Sequence, residues 1–340
     1  MSGLKRFRGV VFILFLIGAA GSLLAAPVTI KLSTAAPPLS TWDKQLADLG
    51  AAWNKGTEGR VTLRVFAGGS QGDEAAVVKK MRPDVDTLQG ALMTSGGLGV
   101  IDKGFNVFTI PFFFENDAEE LAVQKALEPA LEQGLRAQGF HLVAWGTGGW
   151  IQVFSKKPLK TLADVKAASL YASKDDDERV QWYIKNGFHA KALTLGDMVS
   201  QLKNPLGMID TAPNNPYAAS FSGMYVDAKY MLDVHVAPLV GATVVASRVW
   251  DALSEADRAK MTDIARAMET KIRGDINALD ESSIKSMQAK GLTVIKPDDK
   301  ALADFRSAAT DMAKSMRGAS VPEKIFDAAV DARDRVRKSK

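Results

Sequence analysis

The run LGDMVSQLKNPLGMIDTAPNNP, which extends from Leu195 to Pro216, carries the clearest information about how this chain folds. Met198, Val199 and Leu202 lie at helical spacing and give one apolar helix face. The Asn-Pro pair that begins at Asn204 ends this helix, because proline lacks the N–H that a helix interior needs. The run therefore predicts a short helix followed by an abrupt change of direction.

The second half of the same run predicts a buried strand and a turn. Met208 and Ile209 are typical of a short buried strand, which we expect to end at Asp210. The sequence Pro-Asn-Asn-Pro at residues 213–216 then favours a turn. Such a turn would let the amide side chains of Asn214 and Asn215 point into a cleft.

The N-terminal third predicts a parallel sheet. Residues 28–32 alternate apolar and polar side chains, as a half-buried strand does, and residues 61–65 repeat this pattern. Between them, Trp42, Leu46 and Trp53 lie on one face of a helix. The order strand, helix, strand predicts two parallel strands joined by a right-handed crossover, and hence an α/β fold.

Two aromatic segments follow. The segment HLVAWGTGGWIQVF at residues 141–154 predicts two strands, at 142–145 and 150–154, joined by a loop that contains Gly148 and Gly149. Such a loop would place the aromatic ring of Trp150 at a cleft. The segment FNVFTIPFFF at residues 105–114 is very apolar, so most of its Phe side chains are expected in the core.

A long helical pattern occupies residues 253–291. Its apolar residues recur every three or four positions, and a continuous helix over this stretch would be on the order of 60 Å long. A helix of that length would have to run along two lobes. The chain length of 340 residues also favours two lobes over one.

Composition excludes several classes of protein. The hydrophobic content of 46% and the charged content of 24% are typical of an ordinary globular protein. Without the three basic residues of the N-terminal segment, 40 basic residues face 39 acidic ones, which gives a net charge of +1 and no argument for nucleic-acid binding. The absence of cysteine excludes disulfides and thiolate metal sites.

Residues 1–26 are typical of a signal peptide. Lys5, Arg6 and Arg8 precede an apolar stretch, and Ala25 and Ala26 supply small residues for cleavage. The sequence therefore predicts export to the periplasm, with cleavage near residues 25–26. The alternative is an uncleaved membrane anchor, because the apolar stretch is almost long enough to span a bilayer.

The sequence predicts no catalytic residues, no metal site and no cofactor. His141, His189 and His235 have no metal-ligand spacing, and no Gly-x-Ser-x-Gly motif occurs. The acidic cluster at residues 175–178 is typical of a helix start, where carboxylates interact favourably with the helix dipole. An exported hydrolase or lyase remains an alternative to a binding protein.

Four segments in order resemble the substrate-binding subunits of the tripartite ATP-independent periplasmic (TRAP) transporters, dicarboxylate-binding-protein type. They are TIKLST from residue 29, GRVTLRVFAGGSQGDE from residue 59, AWGTGGWIQVFSKKPLKTLADVK from residue 144, and the run at residues 195–216. The resemblance implies two α/β lobes joined by hinge strands and a long C-terminal helix that spans both lobes. It places lobe I at residues 27–150 with a return at about 235–270, lobe II at 151–234, and the helical region that packs on both lobes at 250–340.

One departure from the family concerns the ligand. Family members that bind organic acids carry an Arg shortly after the segment that corresponds to residues 157–166, whereas the sequence DVKAASLYAS at residues 164–173 contains none. Tyr171 falls near that position. The expected ligand is therefore an organic acid held without this Arg, an apolar or aromatic solute, or a neutral polar solute held by phenol and amide groups.

The resemblance predicts a periplasmic protein, expected to be a monomer, that captures a small organic solute between its lobes and delivers it to TRAP membrane permease subunits. An alternative is a periplasmic carrier of a hydrophobic or lipid-like ligand for another transport system. The expected ligand contacts are Trp150, Tyr171, Asn214, Asn215, Gly148, Gly149, Trp42 and Phe112.

Overall fold

The computed structural model describes residues 27–339, so the signal-peptide prediction for residues 1–26 lies outside the described residues. The first half of the chain contains β1 (Val28–Thr34), α1 (Thr41–Gly56), β2 (Val61–Phe66), α2 (Glu74–Met81), β3 (Gly90–Thr94), α3 (Ser95–Gly99), a 3-10 helix (Lys103–Thr109), α4 (Asp117–Ala137) and β4 (Phe140–Ser155).

The second half continues the alternation of helices and strands. It contains α5 (Leu162–Ala167), β5 (Ser169–Ser173), α6 (Asp177–Lys185), β6 (His189–Leu193), α7 (Leu195–Lys203), β7 (Thr211–Asn214), α8 (Pro216–Ser222), a 3-10 helix (Met224–Val226), β8 (Tyr230–Ala246), α9 (Ser247–Trp250), α10 (Glu255–Gln288), β9 (Thr293–Ile295), α11 (Asp299–Met316) and α12 (Glu323–Lys338).

The first lobe is built on the parallel strands β2, β1 and β3, in that spatial order. Helix α1 covers one face of these strands, where Leu46 and Trp53 pack in one buried cluster with Ile30 and Leu32. The predicted parallel pair and its crossover helix are confirmed. The carboxyl ends of the three strands meet at one edge of the sheet, where ligands of parallel α/β sheets usually bind.

The strands β4 and β8 are antiparallel partners that run through both lobes. The end of β8 pairs with β3 in the first lobe, and the end of β4 pairs with β7 in the second. The prediction of two strands separated by a loop at residues 146–149 is wrong. Strand β4 is continuous, and a register shift between Thr147 and Trp150 replaces the loop. Such an irregularity lets a strand bend without ending it.

The second lobe carries β7, β5 and β6, which are parallel. The strand predicted at residues 208–209 is displaced, and β7 begins only at Thr211. The cause is Asp210, whose N–H donates to the Ser169 carbonyl at 3.0 Å while its carboxylate accepts from the Ser169 N–H at 2.9 Å. This local pairing precedes the strand. The predicted turn is also wrong, because residues 211–214 form β7 and Asn215 then caps α8.

Helix α10 spans both lobes, as predicted. It has 34 residues, which corresponds to a length of about 51 Å. Near its start, Met261 and Ala265 belong to the core of the first lobe, and near its end Met287 belongs to the core of the second. The two-lobe α/β fold with crossing strands and a spanning helix is therefore confirmed, whereas the lobe boundaries at single residues stay predictions. Within residues 27–339, no helix is long and apolar enough to cross a membrane.

Candidate ligand-binding cleft between the lobes

A cleft of about 430 Å³ lies between the carboxyl ends of β1–β3 and the start of α7. Both lobes contribute to its walls. The lining residues are Ser33, Thr34, Ala35, Gly68, Gly69, Gly72, Asp73, Glu74, Val77, Ala91, Leu92 and Met93 from the first lobe, and Thr194, Leu195, Gly196 and Asp197 from the second.

The glycine-rich loop after β2 folds against the segment that follows β1. The N–H of Gly69 donates to the carbonyl of Thr34 at 3.0 Å, and the N–H of Gly68 donates to the carbonyl of Ala36 at 2.8 Å. The loop then enters α2, where the carboxylate of Asp73 accepts the N–H of Ala76 at 2.8 Å and caps the helix. The loop thereby places two neighbouring carboxylates, Asp73 and Glu74, at the cleft.

Glu74 is fixed by strand β3. Its two carboxylate oxygens accept the Thr94 N–H at 2.6 Å and the Thr94 hydroxyl at 2.7 Å. A Cβ on Gly97 would collide with this carboxyl group, so the first turn of α3 needs a glycine there. Burial raises the pKa of Glu74 to about 7, and the hydrogen bonds from Thr94 oppose this shift only in part.

The second lobe contributes the start of α7. The Thr194 hydroxyl caps this helix by accepting the N–H of Asp197 at 3.0 Å, and it donates to the Asp197 carboxylate at 2.7 Å. Leu195 and Gly196 lie between these two residues and face the first lobe across the cleft. This wall combines one apolar side chain with one further carboxylate.

Polar contacts join the two lobes. The Lys174 ammonium lies 2.8 Å from the Asp73 carboxylate, and the Arg179 guanidinium donates to the Thr109 carbonyl at 3.1 Å. Elsewhere, the N–H of Thr41 donates to the Tyr217 hydroxyl oxygen at 3.0 Å. These contacts hold the lobes together.

Tyr171, one of the predicted contacts, is buried in β5. Burial raises the pKa of its phenol to about 12, and the nearby carboxylates of Asp175 and Glu74 add to this shift. Its side chain packs in the buried apolar cluster of the second lobe, together with Phe154 and Met198. Tyr171 is outside the set of described residues that line the cleft.

Trp150, Gly149 and Asn215 meet where the crossing strand β4 contacts α10. The Trp150 indole N–H donates to Asp117 at 2.8 Å, and its ring stacks on His235. Asn215 is fully buried and donates to the Gly148 carbonyl at 2.7 Å. Their polar groups are therefore bonded to the protein, and their role as ligand contacts stays a prediction.

Asp280 connects α10 to the start of α8 by hydrogen bonds. Its carboxylate accepts the N–H of Tyr217 at 3.0 Å and the side-chain amide of Asn215 at 3.4 Å. Burial raises the pKa of Asp280 to about 6. These two hydrogen bonds and a third, from the backbone N–H of Trp150, oppose the shift. The carboxylate lies so close to Gly149 that a Cβ there would collide with it.

The remaining predicted residues also contact the protein. Trp42 donates its indole N–H to the Thr147 carbonyl at 3.3 Å and meets the Tyr217 ring edge-on. Phe112 stacks on Phe305, and the Asn214 amide donates to the Met224 sulfur at 3.2 Å. None of the eight predicted ligand contacts is among the described residues that line the cleft.

Sequence reasoning missed the carboxylates at the cleft. Asp73 and Glu74 follow a glycine-rich loop at the carboxyl end of β2, and Ser33 and Thr34 end β1. The carboxyl edge of a parallel sheet is the usual place for a ligand. That topological rule, applied to the predicted parallel strands, could have identified these residues.

A second cavity, of about 400 Å³, lies between α6 and α11 and is lined by Trp182 and Met312 among others. It lies away from the strand ends. In the described part of the chain, no group of three or more His, Asp or Glu side chains is placed to hold a metal ion.

Solved structures of similar fold bind small acids. A TRAP periplasmic solute-binding protein from Chromohalobacter salexigens, with bound D-glucuronate, matches with a TM-score of 0.80 at 22% identity, over 90% of this chain and 99% of that one. Another, from Desulfovibrio salexigens with bound orotic acid, matches with a TM-score of 0.82 at 17% identity, over 91% of this chain and 99% of that one.

Sequence comparison gives the family. A solute-binding protein of Chromohalobacter salexigens is 25% identical over 298 residues, which cover 83% of this chain and 86% of that protein. Residues 32–318 match the profile of the DctP family, so the predicted family is confirmed. This chain belongs to family 7 of the bacterial extracellular solute-binding proteins, the DctP family.

Proposed function

We propose that this protein captures a small organic solute in the cleft between its lobes and delivers it to the membrane subunits of a TRAP transporter. The observation that carries this proposal is that both lobes wall the cleft and are joined across it by the Lys174–Asp73 ion pair. A volume of about 430 Å³ lies in the usual range for small-molecule sites. The carboxylate and hydroxyl groups among the lining residues favour a water-soluble ligand over a lipid.

The relatives support a ligand of this size. The solved proteins described above hold glucuronate and orotic acid, each a single-ring compound. We infer that the solute of this chain is of comparable size and binds without being converted, since the family is one of receptors. Mass spectrometry of the released solute, compared with the solute supplied, tests whether any conversion takes place.

We further propose that the protein works in the periplasm after removal of residues 1–26, and that lobe I comprises residues 27–150 and about 235–270 while lobe II comprises 151–234. N-terminal sequencing of the exported protein tests the cleavage near residues 25–26. The extracellular character of the family supports export.

A cleft-filling variant tests the binding site. Ala35 lines the cleft and is exposed, so Ala35→Trp should fill the cleft without disturbing the core. The matched control is Ala51→Trp, on the exposed face of α1. We expect native mass spectrometry of protein incubated with a soluble metabolite extract to detect one bound solute per chain in the wild type and in the control, and none in Ala35→Trp. Equal binding by both variants, or no bound solute in the wild type, would contradict the proposal.

A further inference from the structure

We propose that the solute captured in this cleft is a small organic cation that carries N–H donors, such as a protonated amine or a guanidine. This inference rests on the proposed function, because it assigns a chemical class to the ligand of the same cleft. It departs from the acids held by the two solved relatives.

The charged side chains in the walls of the cleft favour a cationic solute. Asp73, Glu74 and Asp197 all line it, and among residues 27–339 no Lys or Arg belongs to its lining. Lys174 offsets one of these carboxylates through its ion pair with Asp73. Asp175 adds a further carboxylate close enough to influence Asp73, and the pKa of Asp175 is raised by burial and by that neighbour. An anionic solute would be repelled by this arrangement.

The loop amides do not compensate for the missing cations. A glycine-rich loop can bind an anion when its N–H groups point at the ligand. Here the N–H groups of Gly68, Gly69 and Gly72 donate to the carbonyls of Ala36, Thr34 and Gly69 at 2.8, 3.0 and 2.9 Å. These donors are already used within the protein.

A buried hydroxyl points independently to a polar ligand. Ser33 lines the cleft and is only 1% exposed, yet its hydroxyl oxygen has no hydrogen-bond partner within the described residues. Buried polar groups are nearly always paired, because leaving one unpaired is unfavourable. An N–H donor of the solute would pair with this oxygen.

Glu74 is the anionic partner that the cation would meet. Its carboxylate has hydrogen bonds from Thr94, but among its described neighbours no cation forms an ion pair with it. Burial without a counter-charge destabilises the ionised form, which is why the pKa of Glu74 is raised to about 7. A protonated amine would supply the missing counter-charge, while Val77, Leu92 and Leu195 provide apolar surface for its carbon skeleton.

The test uses the full mature chain, unfolded and refolded to remove any copurified solute. A soluble metabolite extract is separated by ion exchange at neutral pH into cationic, neutral and anionic pools, and Tm is measured with each pool. We expect the cationic pool to raise Tm, because a ligand that binds only the folded state stabilises it. Native mass spectrometry then identifies the bound compound, and calorimetry measures its Kd.

Three variants localise the interaction. Glu74→Gln should weaken binding of that compound about tenfold or more, because it removes a charge-assisted hydrogen bond. Glu281→Gln, the same change on an exposed part of α10, should leave Kd unchanged. Ser33→Ala should weaken binding without lowering the Tm of the unliganded protein, which keeps the test decisive if Glu74→Gln folds poorly.

The outcomes separate the two proposals. A rise in Tm with only the anionic or only the neutral pool would overturn the cation inference and leave solute capture intact. No rise with any pool would count against solute capture itself. A rise with the cationic pool that is unchanged in both Glu74→Gln and Ser33→Ala would show that the cation binds elsewhere and would overturn the inference.

Discussion

The ammonium nitrogen of Lys174 lies 2.8 Å from a carboxylate oxygen of Asp73, and the two residues belong to opposite lobes. Asp73 also caps α2, so it has a structural role in its own lobe. Lys174, by contrast, follows β5 and is partly exposed. The ion pair therefore joins the lobes through one residue that can be changed without disturbing a helix.

Replacing Lys174 with Met removes this ion pair and keeps most of the side-chain volume. Because the pair exists only when the lobes are together, its loss should speed dissociation of the bound solute. The freed Asp73 carboxylate attracts a cationic solute and opposes this effect, so the affinity should fall by about fivefold or less. The Tm of the unliganded protein should change little. Stopped-flow dissociation and calorimetry measure both effects, and Lys324→Met on α12 is the control. An unchanged dissociation rate would mean that the pair does not stabilise the closed lobes.

Replacing either of two buried serines, Ser33 and Ser40, with Ala should have different effects on the free energy of unfolding. Ser33 has a hydroxyl without a partner in the described structure, whereas the Ser40 hydroxyl accepts the N–H of Asp43 at 3.3 Å and caps α1. Ser33→Ala should leave the free energy of unfolding of the unliganded protein unchanged or slightly higher. Ser40→Ala should lower it by about 1 kcal/mol, because a helix cap is lost. Denaturant unfolding measures both, and a clear loss in Ser33→Ala would show that its hydroxyl is already paired.

The raised pKa of Glu74 predicts how stability depends on pH. The pKa rises from 4.5 to about 7 on folding, so the folded state holds the proton more tightly than the unfolded state. The resulting stability is present below pH 4.5 and is lost as the pH rises through 7. Glu74→Gln should remove this dependence, and the expected change in relative stability is at most about 3 kcal/mol.

Thermal unfolding of the unliganded wild type and Glu74→Gln over this pH range provides the measurement. The pKa of Asp280 is also raised, so Asp280 contributes to the pH dependence of stability. This contribution is the same in both proteins and cancels when their stabilities are compared. We expect the wild type to lose stability relative to the variant as the pH increases. Parallel curves would show that the Glu74 carboxyl has an ordinary pKa.

Gly149→Ala tests the contact between β4 and α10. Gly149 has a φ of +76°, and a Cβ there would collide with the Asp280 carboxylate. Gly139 has a φ of +85° but no atom within 4 Å of such a Cβ. Gly139→Ala should therefore lower stability by about 1 kcal/mol through backbone strain alone. Gly149→Ala should lower it further, and equal losses in chemical unfolding would show that Asp280 moves aside freely.

The sequence predicted the architecture because local patterns determined it. The alternation at residues 28–32 and 61–65 and the long helical repeat at residues 253–291 each depend on side-chain periodicity within one element. The predicted strand boundaries were wrong where hydrogen-bond partners distant in the sequence determine the secondary structure. Strand β4 continues through its glycines because β8 pairs along both halves, and β7 starts late because Asp210 is bonded to Ser169.

The cleft was harder to predict than the fold. Aromatic and amide residues such as Trp150 and Asn215 are typical of binding sites, yet in the structure their polar groups are bonded to Asp117 and Gly148. Ser33 and Glu74 lie 41 positions apart in the sequence and belong to different elements, so nothing local links them. Only the parallel order of β1, β2 and β3 brings them to one edge.

Helix α10 is anchored in both cores and is hydrogen-bonded through Asp280 to the first turn of α8. When the lobes separate, a rod held at both ends has to flex along the stretch between its attachments. The bending stiffness of α10 therefore opposes separation of the lobes and favours their closed arrangement.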